Sequence, residues 1–209
     1  MARPSLSRLV GIDRSDGPPP ETQKGQPLRP WTVPNAISYV RLALLPVFLV
    51  VAFGSGDGRS AAAAALYFAI AWGDQLDGLA ARLTGQYSRL GALLDPLTDR
   101  ALVIAGVVVC WHFELLPRWA LAVLVARELM MLVFSQIGLR AGMDLRINMV
   151  GRWAVWPVMF AIFLTLIVES WVATASLYIG LVLTLWATAI YFADGYRFLQ
   201  QRRRPSSST

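Results

Sequence analysis

Four aspartates stand close together in an otherwise apolar part of this chain. They are Asp74 and Asp77 in Asp74-Gln75-Leu76-Asp77-Gly78-Leu79-Ala80-Ala81-Arg82, and Asp95 and Asp99 in Gly91-Ala92-Leu93-Leu94-Asp95-Pro96-Leu97-Thr98-Asp99-Arg100. On a helix, the i, i+3 spacing of the first pair and the i, i+4 spacing of the second put each pair on one face. Two such faces brought together make a box of four carboxylates. An Asp at the centre of a membrane helix costs roughly 2.5–3.5 kcal/mol, and four together also repel one another. One reading is a structural ion-pair network with Arg82 and Arg100 as counter-charges. The other is that divalent cations supply the positive charge. Hard oxygen ligands at this density suit Mg²⁺, Mn²⁺ or Ca²⁺ and do not suit Zn²⁺, which prefers Cys and His. Four carboxylates can hold two such ions, the usual clamp for phosphoryl chemistry.

The residues between the acids fit that chemistry. Gly78, Ala81 and Gly91 are small enough for helices to approach closely, or for a phosphate to lie against the backbone. Arg82 offers a planar cation to a diphosphate. The single histidine, His112, and the single cysteine, Cys110, read as an interfacial residue and a small buried hydrophobe.

These groups need elements to position them. The chain has 209 residues, is 56% hydrophobic and only 15% charged, and has a mean hydropathy of +0.52, which points to lipid as part of its solvent. Six apolar segments, roughly 36–53, 60–81, 90–111, 118–139, 151–168 and 171–196, are each near the ~20 residues that cross a hydrocarbon core as a helix. The expected fold is all-α, an integral membrane bundle of six transmembrane helices. The stretch near Trp31–Asn35 is a candidate interfacial helix before the first span. Trp31, Trp111, Trp119, Trp153 and Trp171 fall near segment ends, as an aromatic belt would. Pro46 and Pro157 lie inside segments and are expected to kink them.

Residues 1–30 are polar and rich in Pro, Gly and Arg, and read as a disordered tail. Residues 31–200 form the membrane domain, and 201–209 a basic polar end. The net charge of +6 rests almost entirely on Arg, placed at the tails and between apolar runs. That placement suits anionic lipid rather than nucleic acid. The basic connections alternate, so both termini and the carboxylates are expected on the cytoplasmic side. The preference for Arg over Lys agrees with a high-GC, bacterial genome.

The pattern D-x2-D-G-x2-A-R-x8-G-x3-D-x3-D is complete at eight positions over 26 residues: Asp74, Asp77, Gly78, Ala81, Arg82, Gly91, Asp95 and Asp99. It resembles the signature of the CDP-alcohol phosphotransferases. The resemblance implies that Asp74, Asp77, Asp95 and Asp99 hold two divalent cations, Mg²⁺ or Mn²⁺. It implies that Asp99 is also the general base on the acceptor hydroxyl. Gly78, Ala81, Arg82 and Gly91 would hold the cytidine diphosphate of CDP-diacylglycerol. The hydroxyl would attack the donor's β-phosphorus and CMP would leave. A homodimer in the plasma membrane is the family's habit.

The acceptor is less plainly written. Leu94-Asp95-Pro96-Leu97-Thr98-Asp99-Arg100, Pro34-Asn35-Ala36-Ile37-Ser38-Tyr39-Val40-Arg41 and Arg127-Glu128-Leu129 resemble the branch that makes phosphatidylglycerophosphate, so glycerol-3-phosphate is the leading acceptor. That branch usually carries G-K-x-K-T after the fourth helix, where this chain has Gly151-Arg152-Trp153-Ala154-Val155. The missing Lys and Thr keep phosphatidylglycerol, giving cardiolipin, close behind. Arg127, Arg140, Arg146 and Arg152 are the candidate acceptor-binding cations. Arg127 sits well inside an apolar segment, where it pairs with Glu128 or faces the site. A phospholipase-D type of cardiolipin synthase is excluded, because it needs two His-Lys motifs. A transporter is the rival from another class, since intramembrane charge also marks transport pathways. A non-catalytic relative would be expected to lose metal ligands or base.

Overall fold

The computed structural model describes residues 27–140 and 149–203. Among them the structure is helical without strands, in the order α1 (Val33–Gly54), α2 (Ala61–Thr84), α3 (Arg89–His112), α4 (Arg118–Arg140), α5 (Met149–Thr165) and α6 (Trp171–Arg203). Each coincides with one of the six apolar segments. The helices run on through Pro46, Pro96 and Pro157. Residues 1–26 and 204–209, which hold most of the expected tails, lie outside the described residues.

Local chemistry sets the helix ends. Thr32 caps α1 by accepting the Asn35 N–H, with Pro34 in the first turn, where a missing N–H costs nothing. Residues 27–32 form no helix, so the candidate surface helix at Trp31–Asn35 is instead the cap and first turn of α1. Ser60 caps α2 at its start, and Gly85 ends it at φ 64°, the left-handed conformation glycine adopts most easily. Ser88 accepts the Gly91 N–H at 2.9 Å and opens α3.

The chain forms two compact units, Met1–Val109 and Cys110–Thr209. In the first, α1 and α2 run antiparallel with their buried residues in register. On α1 these are Asn35, Ser38, Arg41, Leu45, Phe48 and Ala52, and on α2 they are Ala63, Ala64, Tyr67, Ile70, Gly73 and Asp77. The 3–4 residue spacing makes each set one face. The contact is apolar at one end, where Phe48 and Tyr67 pack with ring centroids 5.5 Å apart, and polar at the other, where Ser38 meets Asp77. The outward faces carry Val47 and Val50 on α1, and Phe68, Trp72 and Leu76 on α2. Large exposed apolar side chains, with buried polar groups gathered at one end, differ from the arrangement of a protein surrounded by water.

In the second unit α5 packs along α6, and α4 meets α6 through Trp119 stacked on Tyr178 and Phe134 edge-on to Phe192. Thr184 and Thr188 are buried on α6, while Val182 and Trp186 face outward. Helix α1 and the Trp171–Ala193 part of α6 are long and apolar enough to cross a membrane. The carboxylates on α2 and α3 and the Arg127–Glu128 pair on α4 make those helices less apolar, and α5 is shorter. Six spans are therefore not established by length and composition.

Helix α5 lies close against α6 at Gly180. A Cβ there would stand 2.6 Å from Val158 Cγ2 and 2.9 Å from its backbone nitrogen. Gly180→Val is expected to destabilise the protein by about 1–3 kcal/mol, the usual cost of overpacking. Thermal unfolding in detergent checks this, and an unchanged midpoint would mean that α5 and α6 do not meet at Gly180.

Candidate active site

The polar end of the first unit is built on three helices. From α1, Asn35, Ser38 and Arg41 point inward at i, i+3 and i+6. Helix α2 brings Asp74 and Asp77, and α3 brings Asp95 and Asp99. Arg41 is the hub. Its side chain is 3% exposed, and its Nη1 donates to Asp77 Oδ2 at 3.0 Å and its Nη2 to Asp99 Oδ1 at 2.6 Å. Asp74 Oδ1 lies 3.6 Å from Nη1, and Nε donates to the Ile70 carbonyl at 2.9 Å. Buried this deeply without partners, a guanidinium would cost several kcal/mol. The forked geometry lets Arg41 satisfy carboxylates from two helices at once.

Ser38 completes the inner layer. Its Oγ lies 3.2 Å from Asp95 Oδ1, 3.4 Å from Asp77 Oδ2 and 3.3 Å from the Pro34 carbonyl. With one proton it serves one of these acceptors at a time. Arg41 and Ser38 thus link all four aspartates to α1.

Asn35 ties the start of α1 to the start of α3. Its Nδ2 donates to the carbonyls of Arg29 and Pro30 at 3.0 and 3.1 Å, and its Oδ1 accepts from Ser88 Oγ at 2.8 Å. Gly91 is the space this requires, since a Cβ there would lie 2.8 Å from Asn35 Oδ1. Across the loop, the Val33 N–H donates to Gln86 Oε1.

The four aspartates expected to act together are therefore drawn together. Arg41 supplies a counter-charge that the sequence reading, which named Arg82 and Arg100, did not include. The Arg82 guanidinium lies over Gly78, its Nη1 3.4 Å from where a Cβ would be. Among the described residues no three carboxylates close into a ligand group around one point. Arg41 stands between them. The set still suits a hard cation. Three carboxylates, from Asp74, Asp77 and Asp99, lie within 4 Å of the Arg41 guanidinium. Arg41 and Ser38 hold Asp77 through Oδ2, Asp99 through Oδ1 and Asp95 through Oδ1. The side chains of Asp74 and Asp99 are 35% and 43% exposed, so the cluster is open on one side.

Of the candidate acceptor cations, Arg127 is buried in the second unit, where its Nε donates to Thr188 Oγ1 at 2.9 Å and its Nη1 pairs with Glu128. Arg140 ends α4, Arg152 lies on α5, and Arg146 lies outside the described residues. Asn35, Ser38 and Arg41 had been read only as part of a branch motif. The signal that could have found them is three polar side chains on one face of an otherwise apolar helix.

A fold of apolar-faced helices that gathers four aspartates in this spacing defines a class. Residues 31–186 match the CDP-alcohol phosphatidyltransferase family, and the chain belongs to it. Among its relatives, a protein of Streptomyces coelicolor named cardiolipin synthase (CMP-forming) is 35% identical over 204 residues, covering 94% of this chain and 95% of that one. A Bacillus subtilis protein named CDP-diacylglycerol–glycerol-3-phosphate 3-phosphatidyltransferase is 30% identical over 149 residues, 63% of this chain and 75% of that one. A Shigella flexneri protein of the same name is 29% identical over 176 residues, 78% of this chain and 94% of that one. The chain is thus an enzyme of the phosphatidyltransferase class.

The Asn35–Gly91 contact can be tested by itself. Gly91→Ala should destabilise the protein by about 1–3 kcal/mol. In an Asn35→Ala background the same change should cost markedly less, because the clashing oxygen is gone. Thermal unfolding of the two single variants and the double variant measures the coupling. Additive effects would contradict the contact.

Proposed function

We propose that this protein transfers the phosphatidyl group of CDP-diacylglycerol to the hydroxyl of a phosphoglycerol acceptor and releases CMP. The observation that carries the proposal is the cluster of Asp74, Asp77, Asp95 and Asp99 on α2 and α3, in a chain of this family. In this reading the four aspartates hold two divalent cations, Mg²⁺ or Mn²⁺. When bound, these neutralise the diphosphate and the leaving CMP. Gly78, Ala81, Arg82 and Gly91 line the path of the cytidine diphosphate, with Arg82 presenting its planar cation to phosphate oxygens. Asp99 is the proposed base, oriented through the oxygen that Arg41 holds. It takes the acceptor's proton as the new P–O bond forms at the β-phosphorus and the bond to CMP breaks.

Two acceptors have support. Glycerol-3-phosphate is favoured by the Pro34–Arg41 and Arg127–Leu129 motifs and by the names of the Bacillus and Shigella relatives. Phosphatidylglycerol is favoured by the relative that matches nearly end to end, and by the loss of Lys and Thr at Gly151–Val155. That Lys would add positive charge, and the Thr a hydroxyl donor, for a free phosphate monoester, which phosphatidylglycerol lacks. These two observations put phosphatidylglycerol ahead. Arg140, Arg146 and Arg152 are the proposed acceptor cations, Arg127 being held by Glu128 and Thr188.

The same reading makes the protein a bacterial plasma-membrane enzyme with six spans, both termini cytoplasmic, working as a homodimer. The alternation of basic connections supports the orientation, and the outward apolar faces support the membrane setting.

The test is a product assay. Purified protein in detergent receives CDP-diacylglycerol and Mg²⁺ with either acceptor, and CMP and lipid products are followed. Release with phosphatidylglycerol is expected. Release with glycerol-3-phosphate alone would assign the other acceptor, and none with either would overturn the proposal. Asp99→Asn should lower kcat by about 10²–10⁴-fold while the protein stays folded. Near-normal turnover would remove Asp99 as base.

A further inference from the structure

The geometry points to Arg41 as the positioning residue of the cation site: a fixed fork on α1 that holds the carboxylates by one oxygen each and leaves their other oxygens to the metal. The inference rests on the cation reading above and deepens it.

Three observations carry it. First, Arg41 is fastened from behind. Its Nε is spent on the Ile70 carbonyl at 2.9 Å, and its stem lies against Gly73, where a Cβ would stand 2.7 Å from Cδ and 2.8 Å from Cγ. A side chain gripped at Cγ, Cδ and Nε does not swing away when charge arrives in front of it. Second, its two terminal nitrogens go to carboxylates on different helices, Asp77 on α2 and Asp99 on α3. One planar group thereby sets their relative position. Third, the bonds fall on one oxygen of each. Arg41 takes Asp77 Oδ2 and Asp99 Oδ1, and Ser38 lies against Asp95 Oδ1. A carboxylate pinned through one oxygen presents the other in a defined direction, which is how outer partners orient metal ligands.

Electrostatics alone makes the opposite forecast. A positive charge beside a cation site repels the cation, so its removal should tighten binding. Positioning says that its removal loosens binding. The sign of the change separates the two.

The experiment titrates Mn²⁺ into the full-length protein in detergent, without substrate, and reads free Mn²⁺ by electron paramagnetic resonance. Arg41→Met should raise the Mn²⁺ Kd by about 10–100-fold, the usual loss when an outer partner of a metal ligand is removed. Arg41→Lys keeps the charge without the fork and should recover only part of the affinity. Gly73→Ala touches no charge and puts a methyl group against Cδ. It should also raise the Kd, by about tenfold. Alanine is favoured over glycine inside a helix, so Gly73→Ala remains informative if Arg41→Met fails to fold. An unchanged or lower Kd in Gly73→Ala and the folded Arg41 variants overturns the positioning role while the cation site stands. No Mn²⁺ binding by the unsubstituted protein overturns the cation reading and this inference with it.

Discussion

Burying a guanidinium among helices that otherwise expose apolar faces commits the surrounding residues. The nitrogens of Arg41 need acceptors, because no water is at hand to replace a missing partner. The Ile70 carbonyl, Asp77 and Asp99 each take one N–H, from Nε, Nη1 and Nη2, and Asp74 adds a third negative neighbour. Gly73 has to be small for the stem to reach that position. Ser38, one turn before Arg41, takes up the remaining aspartate, Asp95. The spacing of α1, α2 and α3 at this end of the unit follows from that one side chain.

The same interaction explains why the unit is polar at one end and apolar at the other. From Leu45 to Ala52, α1 meets α2 through mostly apolar side chains, with Phe48 against the Tyr67 ring as the largest contact. From Asn35 to Arg41 every inward side chain is polar and bonded. Confining the polar groups to one end lets the rest of the helices face hydrocarbon at no electrostatic cost. The second unit follows the same rule with fewer groups: Arg127, Glu128 and Thr188 satisfy one another between α4 and α6.

Much of this was legible in the sequence. The apolar segments gave the six helices to within a few residues, because a hydrophobic run of that length has few other ways to satisfy its backbone. The i, i+3 and i, i+4 spacings placed each aspartate pair on one face. The partner of those aspartates was not legible. Arg82 and Arg100 are their neighbours in the chain, but Arg41 lies 36 residues before Asp77, and only the antiparallel packing of α1 on α2 brings the two together. The role of Gly91 was hidden for the same reason, since what fills its space is Asn35, from another helix. Trp31–Asn35 was misread as a surface helix because Thr32 and Pro34 signal a helix start without saying which helix.

The central claim is that Asp74, Asp77, Asp95 and Asp99 form one cation-dependent site at which the phosphatidyl group is transferred. Anomalous scattering at the manganese edge, from crystals grown with Mn²⁺ and CDP-diacylglycerol, tests it most directly. Two peaks bounded by these four side chains, with the donor's diphosphate beside them and Arg41 still on Asp77 and Asp99, are the expected result. Peaks elsewhere, or a diphosphate bound away from the aspartates, would contradict the claim.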